Sequence, residues 1–248
     1  MSKIPLNQRI DREKHHGQFL ASNHPQKIWN WDSPAGQIRW QRRKNFLLSE
    51  ISAGSKVLEI GCGTGLLSAE ISKMDVHLTA IDVSESLIEI ARKNNDENGI
   101  DFRLENACSM TFPDHSFDIL IGSSVFHHLD VDLAIREFNR VLNPGGKLVF
   151  TEPNMVNPQI ALQKNWPYLK RKMGDSPDET AFIRWKLKKQ LMKGGFEQVH
   201  IQPFDFMHPF IPGLVARYSA SFLINLEKIP VLREIAGSLF IKAIKIKC

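Results

Sequence analysis

Val57-Leu58-Glu59-Ile60-Gly61-Cys62-Gly63-Thr64-Gly65-Leu66 is the stretch that decides the fold. A short apolar run meets three glycines at alternating positions. Glycines so spaced let a strand turn abruptly into a helix and leave backbone N–H groups bare, so a ligand can lie directly on the main chain. A dinucleotide site asks for G-x-G-x-x-G, with the third glycine one place later. Leu66 stands there, which speaks against a nicotinamide-dependent reductase. Glu59, two residues before the first glycine, would repel a pyrophosphate. It suits a ligand carrying a cationic amine and a sulfonium.

Working outward, the hydrophobic pattern alternates between two periods. Lys56–Ile60 reads as a strand and residues 66–74 as a helix. His77–Asp82 is a second buried strand, Ser84 a plausible N-cap, and Leu87, Ile88 and Ala91 form a helical stripe to about Asn95. Asp101–Leu104 and residues 117–121 read as strands three and four. Residues 131–142 form a helix, and residues 147–151 a fifth strand after the turn Asn143-Pro144-Gly145-Gly146. Strands alternating with helices need crossovers, hence a parallel sheet covered on both faces. Ser176-Pro177-Asp178-Glu179 has the form of a capping box opening a helix that ends at Gly194-Gly195. Residues 196–202 and 239–247 supply strands six and seven. The expected fold class is α/β, a Rossmann-like, seven-stranded, mostly parallel sheet with helices on both faces and a helical cap.

The chain of 248 residues fits a single domain. Residues 1–55 read as an N-terminal cap segment and helix, with a helix over residues 37–51 beside Trp29, Trp31 and Trp40. Residues 56–152 read as the cofactor-binding core, and residues 153–248 as the rest of the sheet with lid insertions at 153–175 and 204–238. Apolar residues make up 42% and charged residues 24%, the balance of an ordinary globular chain and not of a fibrous or disordered one. No uncharged stretch is long enough to cross a bilayer, and residues 1–14 lack the apolar centre of a signal peptide. Cys62, Cys108 and Cys248 are too scattered for a disulfide framework or a zinc site, which points to a reducing cytosol. Net charge is +5, but residues 51–150 carry −7 between flanks of +5 and +7. Basic flanks suit an anionic substrate or an anionic membrane surface, or are a plain solvated surface.

Asp82 ends the second strand, 21 residues after Gly61. A carboxylate there can accept two hydrogen bonds from a ribose diol. Its competing role, capping the next helix, is one that Ser84 already offers.

With these residues in place, the chain resembles the class I S-adenosylmethionine-dependent methyltransferases, in particular the bacterial group acting on small molecules. The resemblance rests on Val57–Leu66, on Ala80-Ile81-Asp82-Val83-Ser84, on the run from Asn106-Ala107-Cys108 to Ser116-Phe117-Asp118, and on Arg140-Val141-Leu142-Asn143-Pro144-Gly145-Gly146-Lys147-Leu148. The four blocks lie in order within residues 40–152. The resemblance implies a sheet whose last strand is antiparallel and S-adenosyl-L-methionine as cofactor. Glu59, Gly61, Cys62, Gly63 and Gly65 would surround its methionine part, Asp82 its ribose, and Val83 its adenine. Asn106 stands where the family often has aspartate, and can still accept a bond from the adenine amino group. Ala107 would offer a backbone N–H to the ring. Ser123 would contact the methionine amine.

Methyl transfer from a sulfonium is an in-line displacement in which the protein supplies alignment, desolvation and, for some acceptors, a base. His127 and His128 follow the fourth strand and are the candidate catalytic bases, although the family also has histidines there in members without a histidine base. Ser123-Ser124-Val125-Phe126 replaces the Asn/Asp-Pro-Pro-Tyr run of exocyclic-amine methyltransferases. Glu152 and Asn154 only weakly echo a metal-dependent catechol site, so no metal is expected. Arg39, Arg42 and Arg43 could clamp a carboxylate or form an exposed basic face. The apolar residues of the 204–235 segment, with Lys164, Lys170, Arg171, Lys172, Lys186, Lys188 and Lys189 as a basic rim, suit a small lipid-like or anionic acceptor and a peripheral membrane contact. A soluble aromatic or carboxylate metabolite fits as well. No RNA- or DNA-binding module is visible, so nucleic acid is not expected as a partner. An RNA methyltransferase and a cofactor-binding protein without transferase activity are the alternatives.

Overall fold

The two periods of the sequence become two kinds of layer. The computed structural model describes residues 5–23, 25–28, 30–173, 175–176, 179–208 and 211–247. Trp29, Pro177, Asp178, Pro209, Phe210 and Cys248 lie outside the described residues. The chain opens with helices α1 (Leu6–Ser22), α2 (Pro25–Ile28) and α3 (Pro34–Leu48). Then follow β1 (Lys56–Ile60), α4 (Ser68–Ile71), β2 (His77–Asp82), α5 (Glu85–Asn94), β3 (Asp101–Leu104) and β4 (Phe117–Ser123). A 3-10 turn, Phe126–His128, leads to α6 (Val131–Val141) and β5 (Leu142–Pro153). The remainder is α7 (Pro158–Asn165), α8 (Pro167–Lys172), α9 (Arg184–Lys193), β6 (Phe196–Phe204), α10 (Gly213–Leu226), α11 (Pro230–Arg233) and β7 (Ser238–Lys245).

The seven strands form one sheet in the order β3-β2-β1-β4-β5-β7-β6. All neighbours are parallel except β7, which runs antiparallel to both β5 and β6. The Rossmann-like reading of the sequence, including its antiparallel last strand, is therefore the observed fold. Strand order reverses between β1 and β4, and the crevice at their carboxyl ends is where open α/β sheets bind ligands.

Both faces of β1 are buried, as its continuous apolar run requires. Leu58 and Ile60 pack with Phe126, Phe138 and Phe150 on one face. Val57 packs with Leu47, Ile71 and Phe204 on the other, beneath α3. Helix α6 shows why the pattern holds. Asp130 caps it by accepting the Leu133 N–H at 3.2 Å, and Ala134, Ile135, Phe138 and Val141 form its buried face.

Three local readings change. The helix expected from residue 66 narrows to Ser68–Ile71, because the glycine turn continues through Leu67. The capping-box carboxylate does reach back: Glu179 Oε2 accepts the Ser176 N–H at 3.0 Å. No helix starts there, however. It begins at Arg184, because Glu179 is drawn into a buried cluster of charges instead of a first turn. The third change is α1, a helix that the polar N-terminus had hidden. Its inward face is Leu6, Ile10, Glu13, Gly17 and Leu20. A Cβ at Gly17 would lie 2.3 Å from Ser84 Oγ, so only glycine lets α1 cross the start of α5 this closely.

Candidate functional site

At the switch point lies a cavity of about 440 Å³, floored by the glycine turn and roofed by the cap. Gly61, Gly63 and Gly65 all have positive φ, at 65°, 54° and 82°. At Gly63 a Cβ would meet nothing within 4 Å, so this position faces open space; at Gly61 it would strike Val125, and Gly65 packs on Asn95 and Ala91 and does not line the cavity. The floor is acidic. Glu59 is 2% exposed and accepts a hydrogen bond from Ser68 Oγ at 2.5 Å. Burial pushes its carboxyl up to about 8; the Ser68 bond opposes this and the nearby Asp82 adds to it. A buried acid raised this far becomes the anion more readily when a positive charge lies beside it.

Asp82 also lines the cavity. Its Oδ2 accepts the Gly63 N–H at 3.0 Å and its Oδ1 the Ser84 N–H at 2.9 Å. Burial raises its carboxyl, and these backbone bonds oppose the rise. The Ser84 side chain makes no capping bond, and its buried Oγ has no partner among the described residues. Asp82 thus clasps the glycine turn to the start of α5, and each oxygen retains a lone pair for a ligand. Val83, Asn106, Ala107, Cys62 and Ser123 line the same cavity. Asn106 Oδ1 accepts the Cys108 N–H at 3.0 Å, so its free acceptor capacity is half what the sequence suggests. Ser123 Oγ pairs with Thr151 Oγ1 at 3.0 Å. The Cys62 thiol is pushed well up by burial and stays neutral.

The two histidines after β4 live in opposite environments. His127 is 3% exposed, with Nδ1 2.5 Å from Glu152 Oε2 and Nε2 3.1 Å from Glu179 Oε1. Burial alone would lower its pKa, but the two carboxylates outweigh burial and raise it to about 9. It is an imidazolium with both nitrogens engaged. Glu152, fully buried, also accepts the N–H groups of Val125, Phe126 and His127, at 3.0, 2.8 and 3.3 Å. One carboxylate therefore holds the whole turn. His128 has Nδ1 3.0 Å from Glu13 Oε2, without a hydrogen bond between them, and Nε2 3.9 Å from Glu179 Oε2. Nε2 has no closer partner among the described residues, and the side chain lines the cavity.

The cap is composite. Ser176 Oγ donates to Glu13 Oε1 at 2.8 Å and Gln159 bonds to His208, whereas Arg9 Nη1 ties α1 to the turn after β4 by donating to the Leu129 carbonyl at 2.7 Å. Arg39 Nε reaches Asp205 Oδ2 at 3.0 Å. Burial lowers the Arg43 guanidinium to about 10, with Arg39 acting the same way and Asp205 opposing both. Arg43 donates to Ser238 Oγ at 2.6 Å and Ser124 Oγ at 3.3 Å. The three arginines are thus no exposed basic face. Arg39 and Arg43 line the cavity, and Arg42 forms a bidentate pair with Glu227 at 2.7 Å on both arms. The residues of the expected basic rim divide: Arg171 and Lys172 are exposed on α8, and Lys170 Nζ donates to the Glu179 carbonyl at 2.6 Å. Lys164 lies in the cavity wall bound to Glu179 and, at 3.0 Å, to Asp175, whereas Lys186, Lys188 and Lys189 sit exposed on α9.

His127, His128 and Glu179 bring possible metal-ligand atoms within 4.8 Å of one another. The Lys164 ammonium already rests on Glu179, so an ion would have to displace it. Asn154 is a structural residue, donating to the Glu234 and Ala236 carbonyls at 2.9 and 2.7 Å. Sequence reasoning missed Glu13, Asp175 and Asp205, placed Lys164 on an open rim and not in the cavity wall, and read Glu179 as a cap. The one available signal was the spacing Leu6, Ile10, Glu13, Gly17, Leu20, a helical face diluted by two non-apolar positions.

Comparison with known proteins agrees with this geometry. Residues 58–150 match the family described as "Methyltransferase domain". The chain is 29% identical over 222 residues to a ubiquinone/menaquinone biosynthesis C-methyltransferase from Hydrogenovibrio crunogenus, covering 79% of this chain and 86% of that protein. It is 31% identical over 161 residues to a ubiquinone biosynthesis O-methyltransferase from Coxiella burnetii, covering 60% of this chain and 65% of that one. A solved SAM-dependent methyltransferase from Thermotoga maritima has the same fold, with a TM-score of 0.67 at 19% identity over 94% of this chain and 99% of that one.

Proposed function

Since the chain belongs to the class I S-adenosylmethionine-dependent methyltransferases, we propose that its acceptor is a small hydroxylated ring with an apolar, lipid-like substituent, methylated with His128 as base. The chain is an enzyme of this class with S-adenosyl-L-methionine as its cofactor. Quinone-pathway relatives on the C- and O-methylating sides favour such an acceptor. The observation that carries the reading is one cavity shared by the glycine cradle and a histidine with one open nitrogen.

The cradle, Glu59 and Asp82 would hold the cofactor. Gly63 leaves its main chain uncovered, and Glu59 would ionise beside a sulfonium or ammonium group. When bound, the cofactor supplies a methyl group activated for displacement from sulfur. His128 Nε2 would take the acceptor hydroxyl proton as the acceptor oxygen, or the ring carbon that it activates, gains the methyl group. The electron pair of the broken C–S bond would stay with sulfur, and a carbon acceptor would then lose its ring proton while its oxygen regains one. Glu13, 3.0 Å from Nδ1, would stabilise the imidazolium that forms. His127 does no proton transfer in this scheme; it positions the turn through Glu152 and Glu179. Ile10, Leu20, Trp31, Ile160, Met173 and Met207 supply an apolar wall for the acceptor. A lipid-like acceptor must be drawn from a bilayer, so peripheral membrane contact belongs to this reading.

The test is methyl transfer from labelled cofactor to hydroquinones with and without a prenyl tail, resolved by mass. Wild type should methylate the tailed acceptor preferentially. His128→Gln should lose roughly 100-fold or more in kcat, the ordinary contribution of general base catalysis, at unchanged cofactor affinity. Equal rates in His128→Gln and wild type would end the base assignment. Failure of every hydroquinone would end the acceptor assignment.

A further inference from the structure

We propose that the outer face of α10 and α11 docks the protein on a bilayer containing anionic lipids. Between residues 214 and 235, nine large apolar side chains are at least 37% exposed, among them Leu214, Tyr218, Phe222 and Val231 at 74, 85, 63 and 80%. On α10 only Ala216 is fully buried. Its inner side packs with Ala35 and Met207 against α3, so the helix is apolar on both sides and covered on one. A helix apolar all round belongs in a core or in lipid, and a monomer rarely leaves so large an apolar patch to water. Leu214, Tyr218 and Phe222 recur every four residues, one stripe along the helix.

Charge selects the occupant. Around this stripe stand Arg217, Lys228 and Arg233. The acids of the same segment are already neutralised. Glu227 is paired with Arg42 at 2.7 Å and Glu234 with Arg184 at 2.7 Å. The face is therefore apolar with surplus positive charge, the pattern that lies on anionic lipid. A second copy would set these cations against their own kind. No helix among the described residues is long and apolar enough to cross a membrane, so the contact is lateral.

Position gives the contact a use. Residues 206–208, which lead into α10, line the cavity, as does Ile160 of α7. Asn157, which caps α7, donates to the Ile235 carbonyl at 2.7 Å just beyond α11. The docking face is thus continuous with two walls of the cavity, and a bilayer beneath it would lie beside the acceptor end. This use rests on the lipid-like acceptor proposed above, but the docking itself can be read without any acceptor.

The experiment is co-sedimentation of the full chain with acceptor-free vesicles of phosphatidylcholine alone or with about one third phosphatidylglycerol. Wild type should pellet with the anionic vesicles and be released by salt. Tyr218→Ser with Phe222→Ser should cut binding roughly tenfold or more, with the cofactor affinity and Tm of wild type. Arg217→Glu should weaken binding to anionic vesicles only. Sedimentation velocity on the same samples distinguishes the rival occupant. A wild-type dimer that Phe222→Ser dissociates, without vesicle binding, would overturn the proposal in favour of self-association. Wild type left in the supernatant with both vesicles would overturn it outright. Because the vesicles contain no acceptor, either result leaves the methyl-transfer test standing.

Discussion

The cradle and the cap meet across one cavity but are built on different physics. The cradle is main chain. Its geometry comes from three glycines with positive φ and from two carboxylates, Glu59 and Asp82, within 25 residues of chain. The cap is side chain. It exists because Glu13 meets His128 and Ser176, Arg39 meets Asp205, and Arg42 meets Glu227 across long stretches of sequence. A main-chain site tolerates few substitutions and fixes a single ligand. A side-chain site can be rebuilt, and is the place to expect acceptor choice.

The turn between the two should show the largest effect. Glu152→Ala would leave three backbone donors and a buried imidazolium without their partner, and should cost about 3–5 kcal/mol of stability, as for removing one partner of a buried charge pair. Chemical denaturation reads this directly; a loss below about 1 kcal/mol would mean the turn is held by something else. The pH dependence has a definite sign. His127 is raised to about 9 in the fold, so its contribution is complete below its unfolded value of about 6.5 and is lost as pH rises through 9. Wild type should lose stability over that window and His127→Gln should not.

Next comes Asp82→Ala. Losing charged-group hydrogen bonds should weaken cofactor binding by about 1–3 kcal/mol, measured by calorimetry with S-adenosylhomocysteine. Glu13→Gln, in the cap, should leave that affinity unchanged and lower kcat. Equal loss of cofactor affinity in both variants would abolish the distinction between cradle and cap.

The pH dependence of binding tests the cradle a second way. With Glu59 at about 8 in the free site, a cationic ligand must first strip its proton. Affinity for S-adenosylmethionine should therefore climb between about pH 6 and 8 by up to tenfold per unit. Glu59→Gln should flatten the climb.

Legibility in the sequence follows the same division. The strand positions, the glycine turn and Asp82 were readable because each is local, a period of two or of 3.6 or a glycine spacing; the antiparallel last strand was implied only by the family resemblance. Glu179 was not. Its spacing from Ser176 is that of a capping box, and half of that box is made. Its other oxygen goes to His127 and Lys164, whose nearness is tertiary. The His127–His128 pair was visible, but what separates them is two carboxylates 25 and 52 residues downstream and one 115 residues upstream, none adjacent in sequence. Which basic residues of the expected rim reach the cavity was hidden for a related reason: charge counts place Lys164 and Lys186 on the chain, not on a cavity.

The most direct test of the central claim, that a ligand lies on the bare main chain, is calorimetry on Gly63→Ala. A methyl there enters open space, so the fold should survive with only the strain of a left-handed alanine, about 1–2 kcal/mol. The folded Gly63→Ala protein should bind S-adenosylhomocysteine more than about tenfold, or 1.4 kcal/mol, less tightly than wild type. A folded variant that binds as tightly as wild type would contradict that claim.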